Sequence, residues 1–296
     1  MKPEELEKWR KAGKIGSEAM EYAKSIIKPG MKLLEIAEKV EAFVEKKGAK
    51  FAFPINLSIN EIAAHSSPLS NDEDLAHGLL KVDLGISVDG YISDLACSID
   101  LTETKEHKKL IEASQKALDE ALRIIKPGIE IREIGKVIQK TISSYGYAPI
   151  VNLSGHELKQ YMLHAGLTIP NYDNQSDTKL KEGQVLAIEP FATTGQGMVQ
   201  DGKPSGIYKF EVKHLVRDND SRKILDFIEE EYKELPFTSR WLVKKFGSKS
   251  LFALRLLEKA NALHHFMQLI EKTKMPVSQA EATILVTKDG CEVLAK

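Results

Sequence analysis

The pentapeptide Ile-Ile-Lys-Pro-Gly occurs twice, at 26–30 and at 124–128, an offset of 98 residues. At that offset Lys11 also matches Lys109, Ala19 matches Ala117 and Ala23 matches Ala121. Each copy runs on into a second amphipathic stretch, LLEIAEKVEAFVEKKG and IREIGKVIQKTISSYG, whose apolar residues recur at helical spacing. Pro and Gly punctuate helices, so Lys-Pro-Gly reads as the turn between two helices in both copies. Each copy then reaches a related segment, INLSIN at 55–60 and VNLSGH at 151–156. The chain therefore contains two related helix–turn–helix–strand halves, about 11–100 and 109–200. Two copies at so long a period do not make a solenoid. Duplicated halves favour a site between them, where residues from both converge.

Beyond the second half, QVLAIEPFA (184–192) and GIYKFEVKHLV (206–216) read as strands, the first stopped by Pro190. TTGQGMVQDGKPSG between them is Gly-rich and reads as a mobile loop; it lacks the strand-then-helix setting of a phosphate loop. From about 218 to 272 the pattern turns helical, through LFALRLLEKANALHHFMQLIEK, and QAEATILVTKDGCEVLA then returns to strand with Asp289-Gly290 as its hairpin turn. The expected organisation is an α/β core, 1–215 and 273–296, carrying a helical insertion at 216–272.

Apolar residues at 42% and charged residues at 29% describe a soluble globular protein with ample core. A net charge of -1, from 42 basic and 43 acidic side chains, gives no drive toward nucleic acid or acidic lipid. No apolar signal region opens the chain and no window suits a membrane span. Cys97 and Cys291 sit in strand-like apolar runs and read as reduced packing residues. The expected setting is cytoplasmic.

One stretch is out of character. KVDLGISVDGYISDLACSIDL (81–101) reads as two apolar strands, yet it holds Asp83 and Asp94. Buried carboxylates are costly unless something neutralises them. With Asp89-Gly90 as a two-residue hairpin loop, 85 faces 94 and 83 faces 96. Asp83 and Asp94 then share one sheet face as diagonal neighbours, and Gly85 leaves open space opposite Asp94. Two acids and a gap suggest half of a cation site.

Three further residues interrupt ordered, largely apolar segments: His156 after a glycine, Glu189 in VLAIEPF and Glu281 in SQAEATILV. Singly, a strand Glu is usually exposed and a His beside a glycine turn is usually structural. Together, four carboxylates and one imidazole would repel badly in a dry cleft unless divalent cations cancelled the charge. Oxygen-rich ligation with one imidazole suits Mn, Fe, Co or Zn rather than a thiolate zinc site. A metal pair roughly 3.5–4 Å apart activates water and stabilises an oxyanion, which points to metal-assisted hydrolysis.

The motifs FPINLSINEIAAH (53–65), KVDLGISVDGYISD (81–94), NLSGHELKQYMLHAG (152–166), GQVLAIEPFATTG (183–195) and QAEATILV resemble the type II methionine aminopeptidases, in order and interval, over essentially the whole chain. LPFTSRWL (235–242) resembles part of their insertion, and the short N-terminus resembles the archaeal form. The resemblance implies a two-fold pseudo-symmetric α/β pita-bread fold with an inserted helical, winged-helix-like subdomain. It implies that Asp83, Asp94, His156, Glu189 and Glu281 hold two divalent ions (Co, Mn, Fe, Zn or Ni), with Asp94 and Glu281 bridging. His65 and His164 match substrate-contacting histidines that would donate hydrogen bonds to oxygen, and Glu189 would shuttle a proton. Phe53, Leu163 and Phe191 match the walls of a methionine pocket, although both phenylalanines could be plain core aromatics. The implied reaction is removal of initiator methionine from nascent chains with a small second residue, by a bridging hydroxide. The implied enzyme is a cytoplasmic monomer, with the lobe packed over the cleft or touching the ribosome. The alternatives are an Xaa-Pro peptidase on the same fold and a non-catalytic binding protein. Two departures stand out: Ser66 where relatives have an aromatic, and Ala280 and Ala282 flanking Glu281, which would loosen the shell orienting it.

Overall fold

Both Lys-Pro-Gly turns are built alike in the computed structural model, which describes residues 1–214 and 216–296. The first joins α1 (Pro3–Ile26) to α2 (Leu33–Lys46), and the second joins α3 (Lys108–Ile124) to α4 (Ile131–Ser144). Gly30 at φ +82° and Gly128 at φ +83° occupy the left-handed region that glycine tolerates best. Gly30 N–H donates to Ala76 O and Gly128 N–H to Leu180 O, each at 2.8 Å. Leu33 N–H donates to Asp74 O and Ile131 N–H to Thr178 O, each at 2.9 Å, so each turn ties its helix pair to a distant loop.

Each helix pair lays its apolar face on a sheet. In the first half, β1 (Lys50–Ile59), β2 (Ile62–Ala64), β3 (Leu79–Val88) and β4 (Tyr91–Asp100) follow the helices, and β1, β3 and β4 form one antiparallel sheet in the order β1-β3-β4. Met20, Ile36 and Val40 are buried with Leu57, Val82 and Leu84 of that sheet. The β3–β4 register is the one the sequence predicts, with Gly85 opposite Asp94 and Asp83 opposite Ala96. Asp89 (φ +52°) and Gly90 (φ +85°) supply the two positive φ values of a type I′ hairpin turn. The expected gap at Gly85 is filled, however. A Cβ there would lie 2.2 Å from the Phe53 ring, so the missing side chain makes room for an aromatic and not for an ion.

The second half continues with β5 (Ala148–Pro149), β6 (Ser154–Leu158), β7 (Thr168–Pro170), β8 (Val185–Ile188), β9 (Phe191–Thr193) and β10 (Val199–Phe210). β10 overturns the reading of 193–206 as a loop from Val199 onward, while 194–198 do form the connection between β9 and β10. Its register shifts between Asp201 and Pro204, and again between Pro204 and Tyr208. Bulges accommodate Gly202, Pro204 and Gly206 within a strand, and those residues had disguised it. The strand also ends at Phe210, short of the predicted 216.

The lobe comprises α5 (Asn219–Tyr232), β11 (Phe237–Thr238), α6 (Ser239–Phe246) and α7 (Lys249–Lys259) around Ile228, Phe237, Leu242 and Leu254. The helical reading through 272 fails. Asn261 at φ +54° ends α7, and β12 (Leu263–Glu271) pairs with β10. Leu263, Phe266, Met267 and Ile270 are spaced as on a helix face, which misled a reading by periodicity. The four-stranded sheet runs β11-β10-β12-β2, joining lobe to core. The chain then supplies β13 (Val277–Gln279), β14 (Ala282–Val286) and β15 (Cys291–Ala295). The largest sheet runs β15-β14-β8-β6-β7 and a small one runs β13-β9-β5.

A seam joins the halves. Glu281 N–H donates to Ala96 O at 3.0 Å, and Asp94 N–H to Thr283 Oγ1 at 2.7 Å. Thr283 Oγ1 donates in turn to Asp94 O at 2.7 Å, and Gln279 N–H donates to Ser98 Oγ at 2.8 Å. Residues 279–283 thus run antiparallel beside β4. The acid-bearing strand of the first half and the last acid-bearing strand meet edge to edge.

Candidate metal centre

The candidate ligands reach the cleft from separate places along the chain. Asp83 and Asp94 project from the β3–β4 hairpin, His156 from β6, Glu189 from the end of β8, and Glu281 from the short break between β13 and β14. Pro190 lacks the N–H needed to extend the β8 ladder, which leaves Glu189 at a strand end. All five line one cleft of about 400 Å³. Asp94, His156 and Glu281 are buried, and each offers a ligand atom within 4.8 Å of the others. His156 Nε2 lies 3.5 Å from Asp94 Oδ2 and 3.7 Å from Glu189 Oε1.

The electrostatics are those of a site waiting for positive charge. Burial raises Asp83 to about 7, with a Gln279 hydrogen bond opposing the shift. Burial and then repulsion from Asp83 push Asp94 well above the carboxylate range. Burial, then Asp94 and Asp83, do the same to Glu189, and Glu281 is raised by burial and by all three other acids. Burial lowers His156 to about 3, so its imidazole is neutral and free to ligate. Asp83 Oδ1, Asp94 Oδ1 and His156 Nδ1 are buried without a hydrogen-bond partner. Native interiors rarely leave such atoms orphaned. Two unpaired carboxylate oxygens in a cluster of four acids, with the His156 Nε2 turned toward them, fit divalent cations, and nothing else among the described residues neutralises the acids.

The remaining candidates share the same cleft. His65 follows β2 with φ +57°, and its Nδ1 sits 3.2 Å from Met267 O. A carbonyl only accepts, so Nδ1 carries the proton and a neutral ring presents Nε2 as an acceptor. Desolvation lowers His65 to about 4, which keeps it neutral at pH 7. His164 lies edge-on to His156 with centroids 4.4 Å apart. Phe53, Leu163 and Phe191 are buried in the cleft wall, and Phe53 does so by covering Gly85.

Gln279 escaped the sequence reading. It is buried, and its Nε2 donates to Asp83 Oδ2 at 3.2 Å and to Glu281 Oε2 at 3.4 Å. The available signal was alternation: in an extended segment, residue 279 shares the face of 281. Ala280 and Ala282 point the other way, into the second-half core. The expectation that they loosen the surroundings of Glu281 fails, because Gln279 and Thr283 hold that face. Ser66 is likewise accommodated: its Oγ accepts from Gln268 Nε2 at 3.2 Å.

Comparison with known proteins agrees with this geometry. Residues 7–224 match metallopeptidase family M24. The chain is 45% identical to the methionine aminopeptidase of Methanocaldococcus jannaschii over 298 aligned positions, covering all of both chains. It is 45% identical to that of Pyrococcus abyssi over 290, covering 97% of this chain and 98% of the relative. Among solved structures, a thermophilic Arx1 aligns with a TM-score of 0.88 over all of this chain and 91% of its own, at 17% identity that speaks for fold alone. The methionine aminopeptidase of Thermotoga maritima aligns with a TM-score of 0.72 at 25% identity, over all of this chain and 98% of its own. With an acid-rich cleft between duplicated halves and relatives matched end to end, the chain belongs to metallopeptidase family M24 and, within it, to the methionine aminopeptidases.

Proposed function

We propose that this metal-dependent aminopeptidase removes N-terminal methionine with Asp83, Asp94, His156, Glu189 and Glu281 holding two divalent ions, of the Mn, Fe, Co, Zn or Ni kind. The orphaned carboxylate oxygens of Asp83 and Asp94, with the His156 Nε2 facing the same acids, carry this reading. When bound, the ions supply Lewis-acid polarisation of the scissile carbonyl and lower the pKa of the attacking water. The peptide's free amino group, as the neutral amine, would bind at the metal pair that these residues hold, which selects a chain terminus.

The thioether side chain lies against Phe53, Leu163 and Phe191, an apolar wall suited to a flexible methionine. Neutral His65 accepts a hydrogen bond from a peptide N–H at Nε2 and so orients the backbone. His164, beside His156 at the cleft edge, donates to the carbonyl oxygen as negative charge develops there. Glu189 takes a proton from the attacking water at its carboxylate and returns it to the leaving amine. The enzyme's substrates carry a small second residue. The core extends over 1–215 and 273–296, with β12 paired back to β10 so that the inserted helices end at Lys259. Among the described residues no helix is long and apolar enough to cross a membrane. The enzyme acts in the cytoplasm as a monomer on nascent chains, in reach of the ribosome.

The test combines metal analysis with hydrolysis of Met-Ala-Ser and of an Ala-Pro peptide. Chelation should abolish methionine release, and re-added Mn, Co, Fe or Zn should restore it. Absence of release with every metal from folded protein would move the weight to a binding role. Cleavage of the Ala-Pro peptide instead would favour a proline-specific peptidase.

A further inference from the structure

His65 is a non-glycine residue in the left-handed region, at φ +57°. Such a backbone persists only where its surroundings over-determine it. The segment that follows, Ser66 to Leu69, is gripped from three sides. From the core, Leu57 N–H donates to Ser66 O at 2.7 Å. From β12, Met267 O accepts from His65 Nδ1 at 3.2 Å, and Gln268 Nε2 donates to Ser66 Oγ at 3.2 Å. From the lobe, Arg240 Nε donates to Pro68 O at 3.0 Å. Leu69 closes the segment against β10, where a Cβ on Gly206 would lie 2.3 Å from Leu69 Cδ2.

Arg240 is not a loose surface arginine. It is 5% exposed, and both its Nη atoms donate to the Glu41 carboxylate at 2.7 Å. Trp241 Nε1 adds a bond to Glu41 Oε1 at 2.9 Å. A planar guanidinium held by a bidentate carboxylate has one orientation, so its Nε points one way. That direction is the Pro68 carbonyl. The lobe is thereby fixed to α2 through Glu41 and to the His65 segment through Arg240.

We propose that the inserted lobe serves catalysis by holding the His65 segment in its left-handed conformation, with Arg240 as the positioning residue. The inference rests on the reading of His65 as a substrate-contacting group. It gives the lobe a task inside the enzyme, as a brace and not as a hinged cover.

A double-mutant cycle in manganese-loaded protein tests it, reading kcat/KM on Met-Ala-Ser together with the manganese Kd. Arg240→Lys keeps the charge facing Glu41 but cannot span both Glu41 and Pro68 O. It should lower kcat/KM about tenfold with the manganese Kd unchanged, a size typical of coupling between neighbours. In a His65→Ala background the same change should cost less than about twofold. Equal cost in both backgrounds, or no cost in either, would overturn the proposal, because a merely structural arginine acts independently of His65. Should Arg240→Lys fail to fold, Trp241→Phe, which loosens the Glu41 carboxylate that aims Arg240 without stranding a buried charge, completes the same cycle and decides by the same criterion. If His65→Ala alone leaves kcat/KM unchanged, the substrate-contact reading of His65 falls and takes this inference with it. An additive cycle sinks the brace alone.

Discussion

The two halves share a skeleton and differ in chemistry. At positions 98 apart, Gly30 and Gly128, Leu33 and Ile131, and Gly48 and Gly146 do the same backbone work. The acids do not follow that symmetry. The first half supplies two carboxylates from mid-strand in one hairpin, whereas the second supplies an imidazole from β6 and a carboxylate from the end of β8. Turn geometry is constrained locally, since only glycine tolerates φ near +80° without strain. Side chains facing the shared cleft are constrained by each other, because a further charge in one half changes what the other can bear.

The sharpest way to break the comparison is to remove charge from one half. Asp94→Asn should abolish methionine release and lower metal stoichiometry, read by metal analysis of the purified variant. Retained turnover would mean that the first half does not share the ions. Next in size is Gln279→Leu, which deletes the amide linking Asp83 to Glu281. Metal affinity by calorimetry should weaken about 10- to 100-fold, as losses around a ligand set commonly do. Unchanged affinity would reduce Gln279 to packing.

A third test uses pH. Folding raises Asp83 from its ordinary 3.8 to about 7, so without metal its contribution to stability is complete below 3.8 and lost as pH rises through 7. Divalent cations replace those protons, so the gain in Tm from added Mn²⁺ should be larger at pH 8 than at pH 6. Equal gains would show that the acids are not where the ions bind. The smallest effect should come from the turns. Gly30→Ala and Gly128→Ala should each cost about 1 kcal/mol, matching within error and leaving kcat intact. Unequal costs would show that the symmetry is only apparent.

What could be read in the sequence follows the same division. The repeat, the hairpin register and the acids out of place in apolar strands are local signals, and all are visible in short windows. β12 was hidden because its apolar spacing suits a helix and only pairing with β10 makes it a strand. β10 itself was hidden by glycines and a proline that bulges absorb. Phe53 over Gly85, Gln279 on Asp83 and Arg240 under Pro68 join residues 32 to 196 positions apart, and no short window contains them. The apolar cleft wall was legible only through family resemblance.

The seam between β4 and residues 279–283 also sets a timetable. Asp94 and Thr283 are 189 positions apart, so contacts between them close late and at high entropic cost. On a ribosome adding about 5–20 residues per second, the first hairpin leaves the tunnel many seconds before Glu281 exists. Until then the first-half sheet has an open edge along β4, and the cluster of acids is missing its last member. A chain that has not yet added residues 279–283 therefore carries the first hairpin without the strand that pairs it, two of its acids in place and their partner absent.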